Sequence, residues 1–152
     1  MPNTYSQIFI QLVFAVKGRQ NFIQESFREE LQKYMAGIIT NNKQKLYAIY
    51  CMPDHTHILV SMNPDISISD LTRNIKANSS SFLKEKAFVN QFSWQTGFGA
   101  FSYSKSQVDQ VVKYILNQPS HHAIQTFRQE YFDFLKKFEI EYNEKYLFEF
   151  YD

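Results

Sequence analysis

Apolar and polar positions change their period several times along the chain, and the changes divide it into alternating strands and helices. Between Tyr5 and Val16, Ile8, Ile10, Leu12 and Phe14 alternate with polar positions such as Gln7 and Gln11, the period-two signature of a strand with one buried face. Lys17-Gly18-Arg19-Gln20-Asn21 reads as a turn. Ser26 is placed to cap a helix running to about Thr40, with Phe27, Leu31, Tyr34 and Ile38 on its inner stripe. Leu46 to Met52 and Thr56 to Met62 are two more strands; the short Pro53-Asp54 turn between them predicts antiparallel pairing. Ser67 or Ser69 caps a second long helix through about Lys86, carrying Leu71, Ile75, Phe82 and Leu83. A fourth strand spans Trp94 to Tyr103, interrupted by Gly97 and Gly99. The helix that carries Val111, Tyr114 and Ile115 stops before Pro119, and a last helix covers about Ile124 to Phe138. The order strand, helix, strand, strand, helix, strand is that of the split βαβ, ferredoxin-like fold. The predicted class is therefore α+β, an RRM-like antiparallel sheet with helices packed on it. With no repeat, linker or low-complexity segment, residues 1–152 read as a single domain.

Composition narrows the function classes without selecting one. Fifteen Phe and ten Tyr in 152 residues supply a proper core and exclude a disordered or fibrous chain. No apolar run approaches the ~18 residues that span a bilayer, and Met1-Pro2-Asn3-Thr4 lacks the layout of a signal peptide. Cys51 is alone, so no intrachain disulfide forms; the expectation is a cytoplasmic protein with no membrane association and a buried thiol. A net charge of only +1 argues against nonspecific coating of nucleic acid. Charge is nonetheless uneven. Residues 1–120 carry twelve Lys and Arg against eight Asp and Glu, and residues 121–152 carry four against seven. The balance permits nucleic-acid binding without demanding it, and Glu139, Glu141, Glu144, Glu149 and Asp152 read as a solvated acidic face.

Two stretches carry chemistry. His55 and His57 stand one residue apart at the start of a predicted strand, so both imidazoles project from one face and offer two nitrogen ligands to a divalent metal. Tyr114 and Gln118, four apart, share a face of a predicted helix and offer a phenol nucleophile and an amide ligand. Either feature alone is ordinary, since histidines on sheets and tyrosines at core rims are common. Their conjunction points to a nuclease that works through a covalent tyrosine.

Three segments then resemble one known family. Met52-Pro53-Asp54-His55-Thr56-His57-Ile58-Leu59, Trp94-Gln95-Thr96-Gly97-Phe98-Gly99-Ala100-Phe101-Ser102 and Tyr114-Ile115-Leu116-Asn117-Gln118 are similar to the single-tyrosine transposases of small bacterial insertion sequences. These belong to the His-hydrophobe-His (HUH) endonucleases and move elements as single-stranded DNA. The likeness runs in order over nearly the whole chain, including His121-His122 and Ile140-Glu141-Tyr142. It implies His55, His57 and Gln118 as ligands of Mg²⁺ or Mn²⁺, and Tyr114 as the nucleophile that forms a 5′-phosphotyrosine. It implies single-stranded DNA with hairpin ends as the partner, and a homodimer with shared active sites. Thr56 departs from the pattern, which has a large hydrophobe between the histidines; facing away from the ligands, it is expected to affect packing more than metal binding.

Other residues carry weaker expectations. Lys17, Arg19, Arg73, Lys76, Lys84, Lys86 and Lys105 are candidates for phosphate contacts. Gly97 and Gly99 either relieve strand twist or admit DNA or a partner's backbone. Trp94, Phe98 and Phe101 read as core aromatics; His121 and His122 follow the Tyr114 helix, where either one approaches the site or, the favoured reading, both are surface histidines. A catalytically reduced or domesticated hairpin-DNA-binding protein is the alternative function, and a ferredoxin-like metal-binding domain for small molecules a third. Keeping both histidines, Tyr114 and Gln118 favours the enzyme, because a mere binder tolerates their loss.

Overall fold

A computed structural model describes residues 3–86, 89 and 91–152; Met1 and Pro2, the start of the segment read for a leader, lie outside the described residues. Four strands form one sheet: β1 (Phe9–Ala15), β2 (Lys45–Cys51), β3 (His55–Ser61) and β4 (Gly99–Tyr103). Their spatial order is β2-β3-β1-β4, and every pairing is antiparallel. Helices α1 (Glu25–Asn41) and α2 (Ile68–Glu85) connect the strands, and α3 (Val108–Leu116), α4 (Gln118–His122) and α5 (Phe127–Lys137) follow the sheet. The α+β, antiparallel architecture read from the sequence is thus borne out. Among the described residues no helix is long and apolar enough to cross a membrane.

Register divides the two faces. Phe9, Gln11, Val13 and Ala15 lie beside Ser61, Leu59, His57 and His55 on one face, with Tyr103, Phe101 and Gly99 on the far side of β1. The alternate set, including Ile10, Leu12, Phe14, Ile58 and Val60, belongs to the main core with Leu31, Met35, Leu71 and Ile75 of α1 and α2. A smaller apolar cluster joins Phe9, Ala48 and Leu59 to Val108, Val111 and Ile115 of α3 on the first face. The sheet is therefore covered on both sides. That corrects the reading of β1 as a strand with one buried face: all seven of its residues are buried, Gln11 included.

Most local signals in the sequence coincide with the ends of the elements they mark. Ser67 caps α2 and accepts a hydrogen bond from the Asp70 backbone N–H at 3.0 Å. For α1 the N-cap is Gln24, and Ser26 sits inside the first turn. Tyr34 lies at the rim, 39% exposed and stacked on Phe82, while Met35 fills the inward position. The fourth strand begins only at Gly99; Trp94 makes an isolated bridge to Val16. Gly97 takes a left-handed backbone (φ 87°), and a Cβ on Gly99 would stand 2.8 Å from the Tyr131 hydroxyl. A neighbouring side chain of α5 thus occupies the space beside Gly99. Trp94 and Phe101 are core aromatics as expected, with Phe98 half-buried. Cys51 is fully buried, and burial pushes its thiol up to about 12.

Thr56 stands opposite Cys51, on the face turned away from the two histidines. Its hydroxyl is buried without a hydrogen-bond partner beyond the weak polar contact its neighbour Cys51 offers. An unsatisfied buried hydroxyl is destabilising. Thr56→Val, which keeps the shape and removes the hydroxyl, should raise the unfolding free energy by about 1 kcal/mol in urea titrations. A loss of similar size would mean that the hydroxyl has a partner worth keeping.

Candidate active site

β3 begins at the turn after Pro53, so His55 and His57 are its first and third residues and share the face toward α3, α4 and α5. Both imidazoles are fully buried. Their rings meet edge to face at 5.0 Å, and His55 also stacks flat on Phe127 of α5 at 3.9 Å. Each outer nitrogen has a partner. The Nδ1 of His55 faces Asp54 Oδ1 at 2.7 Å, and Gln11 Nε2 donates to the Nδ1 of His57 at 2.8 Å. Gln11 in turn accepts from the Tyr103 hydroxyl at 2.7 Å. An amide carries both a donor and an acceptor, so Gln11 is able to satisfy either tautomer of His57.

Tyr114 and Gln118 come to the same place by a route that differs from the expected one. α3 ends at Leu116, and Gln118 opens a separate short helix with Pro119 in its first turn. The two residues do not share one continuous helix, yet both reach the histidines. Gln118 Oε1 lies 3.2 Å from His55 Nε2, and the Tyr114 ring centre is 5.9 Å from that of His57. All four motif residues are therefore brought together within one chain.

Two further residues join them. Glu130 of α5 is 2% exposed and faces His57 Nε2 at 2.9 Å and His55 Nε2 at 3.4 Å. Its second oxygen accepts from the Tyr114 hydroxyl and, at 3.1 Å, from Gln118 Nε2. His122, at the end of α4, brings its Nε2 within 3.1 Å of Glu130 Oε1 and 2.9 Å of Gln118 Oε1. This corrects the reading of His122 as a surface histidine; His121 packs edge to face on Tyr114 at 4.4 Å. One ligand-type atom from each of His55, His57, His122 and Glu130 lies within 4.8 Å of the others. Both additions left a trace in the sequence. Glu130 interrupts the apolar stripe of Phe127, Tyr131 and Phe134, where a carboxylate needs a buried partner, and His122 follows Gln118 by one helical turn.

The charges in this cluster are strongly coupled. Burial works against the Glu130 carboxylate, but the charge of His57 and hydrogen bonds from the imidazoles outweigh it and hold Glu130 well below the usual carboxylate range. Burial likewise disfavours a charged His55, yet Asp54 and Glu130 prevail and raise it to about 9. His57 is pushed down, chiefly by burial. Burial and then the negative charge of Glu130 push the Tyr114 phenol above its ordinary range. A neighbouring cation would oppose both effects on the phenol. Beside the Tyr114 ring opens a cavity of about 320 Å³, lined by Gln107, Gln110, Val111 and Lys137 among others.

The candidate phosphate-binding cations are dispersed. Lys17, Arg19, Arg73, Lys84, Lys86 and Lys105 are exposed. Arg73 pairs with Asp70 at 2.6 Å, and Arg19 donates to the Tyr151 carbonyl. Lys76 is partly buried, donates to the carbonyl of Gln95 at 2.9 Å, and is brought down to about 8 by burial. With Arg73 it lines a groove between α2 and residues 94–98.

Comparison with known proteins identifies the family and the fold. Residues 4–118 match the sequence profile of the family described as IS200-like transposases. The ISDra2 transposase TnpA of Deinococcus radiodurans is 26% identical over 119 residues, covering 74% of this chain and 84% of that protein. Two solved structures share the fold. One is a Deinococcus radiodurans R1 protein assigned as a transposase (TM-score 0.61, 22% identity, 76% of this chain and 94% of that one). The other is a REP-associated tyrosine transposase bound to a REP hairpin (TM-score 0.60, 16% identity, 79% of this chain and 72% of that one). The resemblance read from three short segments holds over three quarters of the sequence, and the chain belongs to the IS200-like transposase family.

Proposed function

We propose that this transposase is a metal-dependent HUH endonuclease that cuts single-stranded DNA at the ends of an insertion sequence through Tyr114 and rejoins the strands, with residues 1–152 acting as one catalytic domain. The observation that carries the reading is the convergence of His55, His57, Tyr114 and Gln118, distant in sequence, in one polar cluster, with a cavity opening at Tyr114. The donor set fits a divalent cation. His55 has acceptors facing both ring nitrogens, Asp54 on one side and Gln118 with Glu130 on the other, a pattern that suits a cation between Nε2 and those oxygens.

Mg²⁺ or Mn²⁺ held by His55, His57 and Gln118 would polarise the scissile phosphodiester and favour the phenolate. The remaining chemistry belongs to the chain. As the phenolic proton passes to the Glu130 carboxylate that accepts its hydrogen bond, the Tyr114 oxygen attacks the phosphorus, a tyrosine–phosphorus ester forms, and the bond to the 3′ oxygen breaks. That oxygen leaves as a 3′-hydroxyl after taking up a proton, and the 5′ side stays on Tyr114. A 3′-hydroxyl from another strand reverses the step, so rejoining needs no nucleotide cofactor. The hairpin carried by the REP-associated relative supports hairpin-ended DNA as the substrate. Exposed Lys17, Arg19, Lys84 and Lys105, with Arg73 and Lys76 along their groove, are the proposed phosphate contacts. Retention of the whole site disfavours the alternative of a catalytically reduced hairpin-binding protein.

The direct test incubates the full chain with Mn²⁺ and single-stranded DNA carrying hairpin ends. A covalent protein–DNA adduct mapping to Tyr114 is expected, and Tyr114→Phe should abolish adduct and cleavage while leaving hairpin affinity within a few fold. An adduct on Tyr103 or Tyr131 would contradict the assignment.

A homodimer is the proposed assembly. Within it, the contacts of Tyr114 with His57 and Glu130 of its own chain favour sites complete in each subunit over the shared sites that the resemblance implies. Mixing His57→Ala protein with Tyr114→Phe protein separates the two. Sites built within one chain leave the mixture inactive, whereas recovered cleavage after subunit exchange would establish sharing.

A further inference from the structure

We propose that Glu130 and His122 join His55, His57 and Gln118 as ligands of one ion, making a centre of three imidazoles, an amide oxygen and a carboxylate that favours a transition metal over Mg²⁺. The proposal rests on the metal-dependent reading above and extends its ligand set beyond residue 118, where the match to the family profile ends.

Orientation carries the argument. The Nε2 atoms of His55, His57 and His122 all turn toward Glu130 Oε1, at 3.4, 2.9 and 3.1 Å. Every outer Nδ1 meets a group able to accept its proton. For His55 that group is the Asp54 carboxylate at 2.7 Å, and for His122 the Gln125 carbonyl at 2.8 Å. For His57 it is Gln11, whose amide presents oxygen in place of nitrogen when reversed and then donates to the Tyr103 hydroxyl. A histidine that gives its far N–H to a carboxylate, carbonyl or amide has its other nitrogen's lone pair fixed toward a metal. Three histidines arranged this way around one buried carboxylate oxygen form a built site.

Glu130 also connects the ion to the nucleophile. While Oε1 faces the imidazoles, Oε2 accepts from the Tyr114 hydroxyl, so one carboxylate sets the distance between metal and phenol. Its position is fixed in the first turn of α5, where Thr126 and Gln129 form a capping box, and by Phe127 and Phe134 packing around His55 and His57. Three nitrogen donors beside one carboxylate and the Gln118 amide oxygen suit Mn²⁺, Fe²⁺, Co²⁺ or Zn²⁺, whereas Mg²⁺ prefers all-oxygen donors and retained waters.

The test loads the EDTA-stripped full-length protein with Co²⁺ and reads the metal itself. X-ray absorption at the cobalt edge should count three imidazoles, and calorimetry should show Co²⁺ binding more tightly than Mg²⁺ by on the order of 100-fold or more. Glu130→Gln and His122→Ala, checked for folding by circular dichroism, should each weaken Co²⁺ binding on the order of 100-fold. Two imidazoles in the wild-type spectrum would overturn the proposal whether or not the variants fold, as would unchanged affinity in folded variants. Because the adduct assay with wild-type protein stands apart, the proposal and the nuclease reading are able to fail separately. An adduct with only two imidazoles sinks this inference alone; three imidazoles without an adduct sink the nuclease reading alone.

Discussion

Placing two imidazoles side by side on an interior strand obliges the chain to find partners for four ring nitrogens away from water. A buried polar group without a partner costs on the order of 1–3 kcal/mol, and several in one place would rival the net stability of a small domain. The protein meets this demand from four directions. The β2–β3 turn contributes Asp54, β1 contributes Gln11, α4 contributes Gln118, and α5 contributes Glu130. The sheet fixes where the imidazoles point, and the helices after it are arranged around them.

This demand explains why the second face of the sheet is closed. α3 lays Val108, Val111 and Ile115 on Phe9, Ala48 and Leu59 and so brings Tyr114 to the edge of the polar cluster. α5 sets Phe127 on His55, Phe134 near His57 and Tyr131 into the space beside Gly99. Apolar contacts around a polar centre lower the local dielectric, which strengthens each hydrogen bond and sharpens the cost of an unmatched charge. One consequence is a tyrosine held neutral by burial and a neighbouring carboxylate, with a cavity in front of it. An arrangement that suppresses the phenolate in the absence of a cation ties the nucleophile's reactivity to whatever occupies the centre.

Much of the framework could be read from local pattern, because strand alternation, the Pro53-Asp54 turn and the Ser67 cap are set by a few neighbouring residues. The pairing of His55 with His57 followed from period two alone. What escaped were features decided by distant packing. β1 was read as half-buried, since nothing within Phe9–Ala15 announces that α3 and α5 will cover its second face. α3 ends at Leu116, two residues before the stop that Pro119 announces, and Tyr114 and Gln118 converge without sharing a helix. Glu130 gives little local sign of its role because its imidazole partners lie on β3, more than sixty residues away, and His122 turns inward only because Glu130 and Gln118 are there to receive it. A carboxylate on an otherwise apolar helix stripe was the available clue, and it becomes informative only once a buried cationic or metal-binding partner is suspected.

The central claim is that this strand pair and its surroundings form a metal centre serving Tyr114. A crystal of the full chain grown with Mn²⁺ and measured for anomalous scattering would test it most directly. The account predicts one strong peak roughly 2–2.5 Å from the Nε2 atoms of both His55 and His57, on the side where the Tyr114 hydroxyl lies. A peak at another location, or none at saturating Mn²⁺ with the imidazoles still bonded to Glu130, would contradict it.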